Sequence, residues 1–230
     1  MSSSIPTPIV NLQVSPGFIA FPPSTHPGIG ACDPLLWGLL TPGSVPGHPT
    51  AVQPWCEGTS EPGKYPSMLW APESLLPIPP TYSKCNLDCD VTLSTSMMKC
   101  QCLEIDVMHA VNGLVFPFGF HIEQQNGGNA QVCDPTGAKW LDAGFSVELV
   151  PNLVQHFTLQ MGLDFAGKTL TWLGVVIAGK PYKVQDPDVA AAVWPSWGKA
   201  NGMKPQFQLD NPPAAPLISP VIDNVNLWFG

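Results

Sequence analysis

Two segments in the middle of the chain decide the fold: residues 103–107 read Leu-Glu-Ile-Asp-Val, and residues 116–123 read Phe-Pro-Phe-Gly-Phe-His-Ile-Glu. In both segments apolar and polar side chains alternate with a period of two, which is the pattern of a β-strand with one buried face. If the two strands are neighbours, their polar side chains share one open face of a sheet. Those side chains are Glu104, Asp106, His121 and Glu123.

The rest of the chain after residue 100 repeats this alternation in short runs. Turn signals such as Asn-Gly-Gly-Asn at residues 126–129 separate the runs, and a helical pattern is confined to Val189–Val193. Many short strands with almost no helix predict an all-β fold, a jelly-roll β-sandwich. The candidate strands are Cys102–His109, Val115–Gln124, Ala143–Leu149, His156–Leu163, Lys168–Ile177 and Val221–Phe229.

The first third of the chain has a different composition, because seventeen of the 28 prolines fall within residues 1–80. Proline lacks a backbone donor and restrains the residue before it, so this part is expected to form loops and short edge strands. It also contains Trp37, Trp55 and Trp70, which favour packing against a core. We therefore predict one domain, in which residues 1–80 are a Pro/Gly-rich wrapping segment and residues 81–230 are the β-sandwich core.

Charge and hydropathy exclude several classes of partner. The chain has nine basic and seventeen acidic residues, a net charge of −8, and no basic cluster, so nucleic acid and anionic membranes are not expected partners. No apolar run reaches the roughly 18 residues that a membrane-spanning helix requires, so we expect no membrane insertion. The first residues lack the basic and apolar regions of a signal peptide.

Seven cysteines lie among Pro, Gly and polar residues rather than inside apolar runs. This usage is typical of disulfides in a secreted, extracellular protein, and it predicts three bridges with one thiol left over and the pairing open. Zinc is the alternative for the group at residues 85–102, although C-x₃-C followed by C-x-C is not the usual pair of C-x₂-C knuckles. The cysteines are Cys32, Cys56, Cys85, Cys89, Cys100, Cys102 and Cys133.

Residues 104–109 (Glu-Ile-Asp-Val-Met-His) resemble the E-x-D-x-x-E signature of laminarinase-type family 16 glycoside hydrolases, with histidine in place of the last glutamate. The resemblance implies a concanavalin A-like jelly roll. It also implies that Glu104 is the nucleophile, that Asp106 tunes it, and that His109 occupies the acid/base position.

A retaining glycosidase needs two carboxyl groups, so the missing glutamate leaves three arrangements open. In the first arrangement His109 is an unusual acid, and in the second Glu123 on the neighbouring strand takes the acid role. In the third the site binds sugar without cutting it. His109 faces the cleft only if a β-bulge near Val107–Met108 shifts the alternation of side chains by one residue. A lyase with a histidine base and Tyr82 or Tyr182 as acid is a further alternative, which the scarcity of basic residues disfavours. The candidate catalytic residues are Glu104, Asp106, His109, His121 and Glu123.

Trp194 and Trp197 lie in a Gly- and Pro-rich loop and are the candidate platform for binding a sugar ring. We expect a polysaccharide partner, which the family resemblance implies is a β-glucan. A lectin-like binder and a structural surface protein are the non-catalytic alternatives.

No Gly-rich phosphate loop, H-x-H or H-E-x-x-H motif occurs, so no cofactor and no catalytic metal are expected. A structural calcium ion held by backbone carbonyls and a carboxylate such as Asp223 is compatible with the sequence. The sequence makes no prediction about the oligomeric state.

Overall fold

The computed structural model describes residues 8–21, 31–32, 37–57, 64–65, 67–79, 81–99, 102–134, 139–191, 201–211 and 217–230. It is an all-β structure and confirms the predicted jelly-roll β-sandwich. No helix in this described part of the chain is long and apolar enough to cross a lipid bilayer.

The strands follow one another along the chain, and in the part that the structure describes short 3-10 helices occupy Leu12–Val14, Thr95–Lys99 and Gln124–Asn126. The strands are β1 Phe18–Phe21, β2 Ala31–Cys32, β3 Trp37–Leu40, β4 Gln53–Cys56, β5 Lys64–Tyr65, β6 Ser67–Pro72, β7 Lys84–Thr92, β8 Cys102–Val111, β9 Leu114–Glu123, β10 Asn129–Asp134, β11 Lys139–Ser146, β12 Val154–Asp164, β13 Thr169–Ile177, β14 Lys180–Tyr182, β15 Asp188–Ala190, β16 Gly202–Asp210 and β17 Val221–Phe229.

Two antiparallel sheets form the sandwich. The seven-stranded sheet has the order β1-β6-β16-β8-β9-β10-β11, and the six-stranded sheet has the order β14-β13-β12-β7-β17 with β15 also paired to β13. Two small ribbons, β2 with β5 and β3 with β4, lie outside these sheets. The central position of β8 in the seven-stranded sheet places its polar side chains between those of β16 and β9.

The core lies between the two sheets and is filled by one face of each strand. On β8 and β9 the inward residues include Ile105, Phe118 and Phe120, which are fully buried. Phe118 packs edge to face against Trp172 of the six-stranded sheet, with ring centroids 5.3 Å apart. Burying such aromatic side chains is the main favourable contribution to folding, so the apolar members of the alternation determine which way each strand faces.

The first 80 residues supply β1 to β6, and β1 and β6 belong to the seven-stranded sheet. The expectation of only loops and short edge strands is wrong for β6, which lies between β1 and β16 and is buried along its length. It can occupy that position because its only proline, Pro72, is its last residue. At Val189–Val193 the structure has the strand β15 at its start instead of a helix, and residues 192 and 193 lie outside the described residues.

Asp223 connects the N-terminal segment to the last strand. Its carboxylate accepts hydrogen bonds from Gln13 Nε2 at 2.8 Å and from Thr50 Oγ1 at 2.9 Å. The backbone of Ile9 also pairs with that of Leu227. The carboxylate that the sequence offered as a calcium ligand is thus engaged by side chains of the N-terminal segment.

The cysteines do not form three disulfides, so that prediction is wrong. Cys85 and Cys89 are buried thiols on the core face of β7, and burial raises their pKa. Cys133 is also a thiol, and Cys102 donates its S–H to Asp210 Oδ2 at 3.0 Å. With at least four thiols among the seven cysteines, most of them act as small apolar or polar side chains of strands rather than as cross-links.

We expect thiol titration of the protein, denatured in guanidinium without reductant, to find at least four reactive thiols per chain. Reduction before titration should raise the count to at most seven. One or two thiols in the unreduced sample would contradict the structure and would restore the three-bridge arrangement.

Candidate functional site

A row of polar side chains crosses the seven-stranded sheet on the face turned away from the core. The strand register places Glu104 of β8 directly opposite His121 of β9 and opposite Gln208 of β16. His121 in turn lies opposite Gln131 of β10, which lies opposite Asp142 of β11. We call this surface the polar face, and define it by that row and its neighbours on the same strands: Cys102, Asp106, Gly119, Glu123, Cys133, Trp140, Gln206 and Asp210.

Glu104 and Asp106 are the central carboxyl groups of the polar face. Asp106 is fully buried and its Oδ2 accepts a hydrogen bond from Gln206 Nε2 at 2.6 Å, whereas Glu104 is partly exposed. Partial desolvation of the Glu104 carboxyl raises its pKa well above the usual value, and the neighbouring Asp106 charge adds to the effect. Burial also raises the pKa of Asp106 to about 6, although Glu104 and Gln206 act in the opposite direction. The two groups favour a state with one shared negative charge.

His121 is a buried imidazole that forms no hydrogen bond with the residues that the structure describes. Its side chain is 6% exposed, and neither ring nitrogen has a hydrogen-bond partner among the described residues. Its Nε2 lies 4.0 Å from Glu123 Oε1, and its ring packs edge to face on Trp140 with centroids 4.8 Å apart. Burial lowers the pKa of His121, so its neutral form is favoured.

Asp210 organises the side of the polar face next to β6. Its carboxylate accepts hydrogen bonds from the Ser67 hydroxyl, from Cys102 Sγ at 3.0 Å and from Gln208 Nε2 at 3.1 Å. One potential ligand atom each from Cys102, Glu104 and His121 lie within 4.8 Å of one another. These three residues are therefore the group on the polar face that could hold a metal ion.

The structure brings Glu104, Asp106, His121 and Glu123 together on one face, as the alternation predicted. Glu123 is partly exposed, and its Oε2 accepts a hydrogen bond from Asn126 Nδ2 at 2.8 Å. The face is less open than expected, since Asp106 and His121 are almost completely buried. Their proposed catalytic roles stay predictions.

His109 does not belong to this group. The pairing of β8 with β9 and with β16 runs through His109 without a bulge, so its side chain points into the core. It is fully buried, its Nδ1 lies 2.7 Å from the Tyr82 hydroxyl, and it packs edge to face on Phe118. The cleft-facing position that the family 16 signature implied for His109 is therefore wrong.

The other aromatic candidates do not lie on the described part of the polar face. Tyr82 is partly buried and packs against the core beside His109, and Tyr182 belongs to the six-stranded sheet, where it stacks on Phe145. Neither tyrosine is placed to act with His121. Trp194 and Trp197 lie outside the described residues.

Sequence reasoning missed the contribution of β16 to the polar face. Gln206, Gln208 and Asp210 alternate with buried Phe207 and Leu209, which is the same signal that identified β8 and β9. Pro205 conceals this strand, because proline is normally confined to edges and strand ends. The missed strand supplies the amide groups that surround the two central carboxyls.

Comparison with known proteins identifies the fold but no family. No protein-family model and no curated sequence matches the chain. Alginate lyase Aly36B superposes with a TM-score of 0.52 at 9% identity, covering 78% of this chain and 81% of that chain. The endo-β-1,4-glucuronan lyase from the fungus Trichoderma reesei gives 0.50 at 9% identity, covering 78% and 81%. The CBM2 module of the evolved Dit of Lactobacillus casei BL23 phage J-1 gives 0.50 at 12% identity, covering 98% and 95%.

The buried His109 should make stability depend on pH. Burial lowers the pKa of His109 from 6.5 to about 3. The unfolded chain therefore binds a proton between pH 6.5 and about 3 that the folded chain does not, so acidification in this window favours unfolding. His109→Gln removes this titrating group. Between pH 6 and 4 we therefore expect the free energy of unfolding of the variant to fall by about 1.4 kcal/mol less per pH unit than that of the wild type.

Urea unfolding at several pH values measures this difference in slope. Tyr82→Phe is the matched control, because it removes the hydroxyl partner but leaves the imidazole in place. The control should keep the wild-type slope. Equal slopes in the wild type and His109→Gln would show that His109 is not held neutral by burial.

Proposed function

We propose that this protein binds a polysaccharide along the polar face of the seven-stranded sheet. The observation that carries the proposal is the row of amide, carboxyl and imidazole groups that lie opposite one another across five strands. Amide and carboxyl groups donate and accept hydrogen bonds, as sugar hydroxyls require. Partly exposed Trp140 at the end of the neighbouring row offers an indole for the apolar side of a sugar ring.

The fold supports this proposal. The solved structures with the same jelly roll include an alginate lyase, a glucuronan lyase and a CBM2 module. Jelly-roll proteins host many functions, so this support is an analogy at the level of the fold. An extracellular location is part of the proposal and rests on the class of ligand, because the cysteines no longer argue for it.

The charge of the polar face favours a neutral polysaccharide over a uronic acid polymer. Within the described parts of β8, β9 and β16, four carboxyl groups accompany a single lysine, Lys204, whose pKa burial lowers. The carboxyl groups are Glu104, Asp106, Glu123 and Asp210. A polyanion would have to approach this surface against repulsion, and the chain carries a net charge of −8. A neutral glucan meets no such cost.

We expect Trp140→Ala to weaken binding of a soluble β-glucan about tenfold, because it removes an aromatic contact of about 1 kcal/mol or slightly more. Calorimetric titration in the presence of a chelator measures this change, with alginate as the charged comparison. Trp228→Ala is the matched control, since Trp228 is an exposed indole on β17 of the other sheet. Absence of glycan binding by the wild type, or an equal effect of both variants, would contradict the proposal.

Hydrolysis of the bound glycan is a second candidate function, favoured by the placement of Glu104 and Glu123. Because Glu104 lies opposite His121, Glu123 is its diagonal neighbour across the strand pair, and their backbone positions are about 7–8 Å apart. Two carboxyl groups on one face are what a glycosidase requires, with a carboxyl separation of about 6.5–9.5 Å in an inverting enzyme and about 5–5.5 Å in a retaining one. The retaining arrangement implied by the family 16 signature has no acid/base residue here, because His109 lies in the core.

If the chain cleaves glucan, Glu104→Gln and Glu123→Gln should each lower turnover by about 100-fold or more and leave glycan binding nearly intact. Reducing-sugar release in chelator measures turnover. Glu148→Gln, which changes an exposed glutamate outside the polar face, should behave as the wild type. Undiminished turnover in either site variant would remove that residue from the mechanism. Glycan binding without turnover by the wild type would leave the binding function alone.

A further inference from the structure

We propose that the polar face contains a binding site for a transition-metal ion of the zinc class, formed by Cys102, Glu104 and His121. The ligand atoms of these three residues lie within 4.8 Å of one another. The inference does not depend on glycan binding, because it follows from the donor groups and their surroundings alone.

The backbone holds the three residues in a fixed arrangement. Cys102 and Glu104 are two residues apart on β8 and therefore share a face, and His121 lies directly opposite Glu104 on β9. Tetrahedral zinc, with bonds of about 2.0–2.3 Å, sets its ligand atoms roughly 3.5 Å apart. The present limit of 4.8 Å exceeds that value by little more than 1 Å.

The buried imidazole of His121 is an independent indication of a ligand. At 6% exposure, with neither nitrogen hydrogen-bonded to a described residue, it carries an uncompensated cost of desolvation. A metal ion bound at one nitrogen removes that cost. Neutral imidazole is the commonest metal-binding side chain in proteins.

Asp210 supplies a supporting contact to the thiol ligand. It accepts the hydrogen bond of Cys102, and Ser67 and Gln208 hold its carboxylate in place. When the thiol binds a divalent ion as thiolate, its S–H bond breaks and the proton is released to solvent. The hydrogen bonds that Ser67 and Gln208 donate to Asp210 then reduce the repulsion between its carboxylate and the thiolate.

The donor set selects the metal. One thiolate sulfur, one imidazole nitrogen and one carboxylate oxygen suit Zn²⁺ and Co²⁺, whereas Ca²⁺ and Mg²⁺ require oxygen ligands. Three protein ligands leave one tetrahedral position for water or a sugar hydroxyl. An ion bound here would engage the Glu104 carboxylate and remove it from contact with a glycan. The glycan assays are therefore made in chelator.

This site differs from the zinc alternative in the cysteine spacing. Cys85 and Cys89 point into the core from β7 of the other sheet, whereas Cys102 lies on the polar face of β8. The ligands thus come from two alternate residues of β8 and a facing residue of β9 rather than from a Cys-x-Cys motif. Sequence spacing alone cannot reveal such a site.

The test is a titration of metal-free protein with Zn²⁺ in competition with a chromophoric chelator. The wild type should bind one ion per chain, and Cys102→Ser and His121→Gln should each weaken binding by at least about 100-fold. Co²⁺ should give a thiolate-to-metal charge-transfer band that disappears in Cys102→Ser. Cys133→Ser, which changes another thiol of the polar face, is the matched control and should bind as the wild type.

Absence of one-to-one binding by the wild type, or unchanged affinity in both ligand variants, would overturn the proposal. Loss of binding in Cys133→Ser with retention in Cys102→Ser would also overturn it. Circular dichroism of each metal-free variant checks folding, and if Cys102→Ser does not fold, His121→Gln and the wild-type Co²⁺ spectrum decide. A protein that binds the ion but no glycan would uphold this site while contradicting the proposed function.

Discussion

The unbroken pairing of β8 with β9 is the constraint on which the polar face depends. Successive side chains of a strand point to opposite faces, so a slip of one residue would exchange the two faces completely. Ile105 and Phe120 pair directly and are both fully buried, and their burial fixes the register. The same register places Glu104 opposite His121 and turns His109 into the core. The chemistry of the polar face is therefore a consequence of hydrophobic packing on its reverse side.

The period of two was sufficient to predict the fold class and the shared face of Glu104 and His121. It did not identify the amides of β16, because Gln206 reaches Asp106 across a sequence separation of 100 residues and Pro205 conceals the strand. Local patterns state which face a side chain takes but not which strand lies beside it. The interior position of β6, between β1 and β16, was unpredictable for the same reason.

The alternation of apolar and polar residues also does not tell whether a polar side chain on the outer face of a sheet is exposed or buried. Asp106 was expected on an open surface and is fully buried, because neighbouring strands bring further side chains against it. Cysteine adds a second ambiguity, since it is compatible with a core position, a disulfide or a metal ligand. Cys89 takes a core position, as one of the buried residues of β7. Because Cys89 was assigned to a disulfide, this strand was not predicted from the sequence. The environment of a thiol depends on the tertiary structure, which residue spacing does not describe.

The contacts between Asp223 and the N-terminal segment have a consequence for biosynthesis. Gln13 and Asp223 are 210 residues apart, and Ile9 pairs with Leu227 in the last strand. Residues 9 and 13 must therefore wait for their partners until residues 223–227 have been translated. Such distant pairings make folding slow and leave strand edges exposed meanwhile. The nascent chain would consequently be prone to aggregation until β17 has left the ribosome.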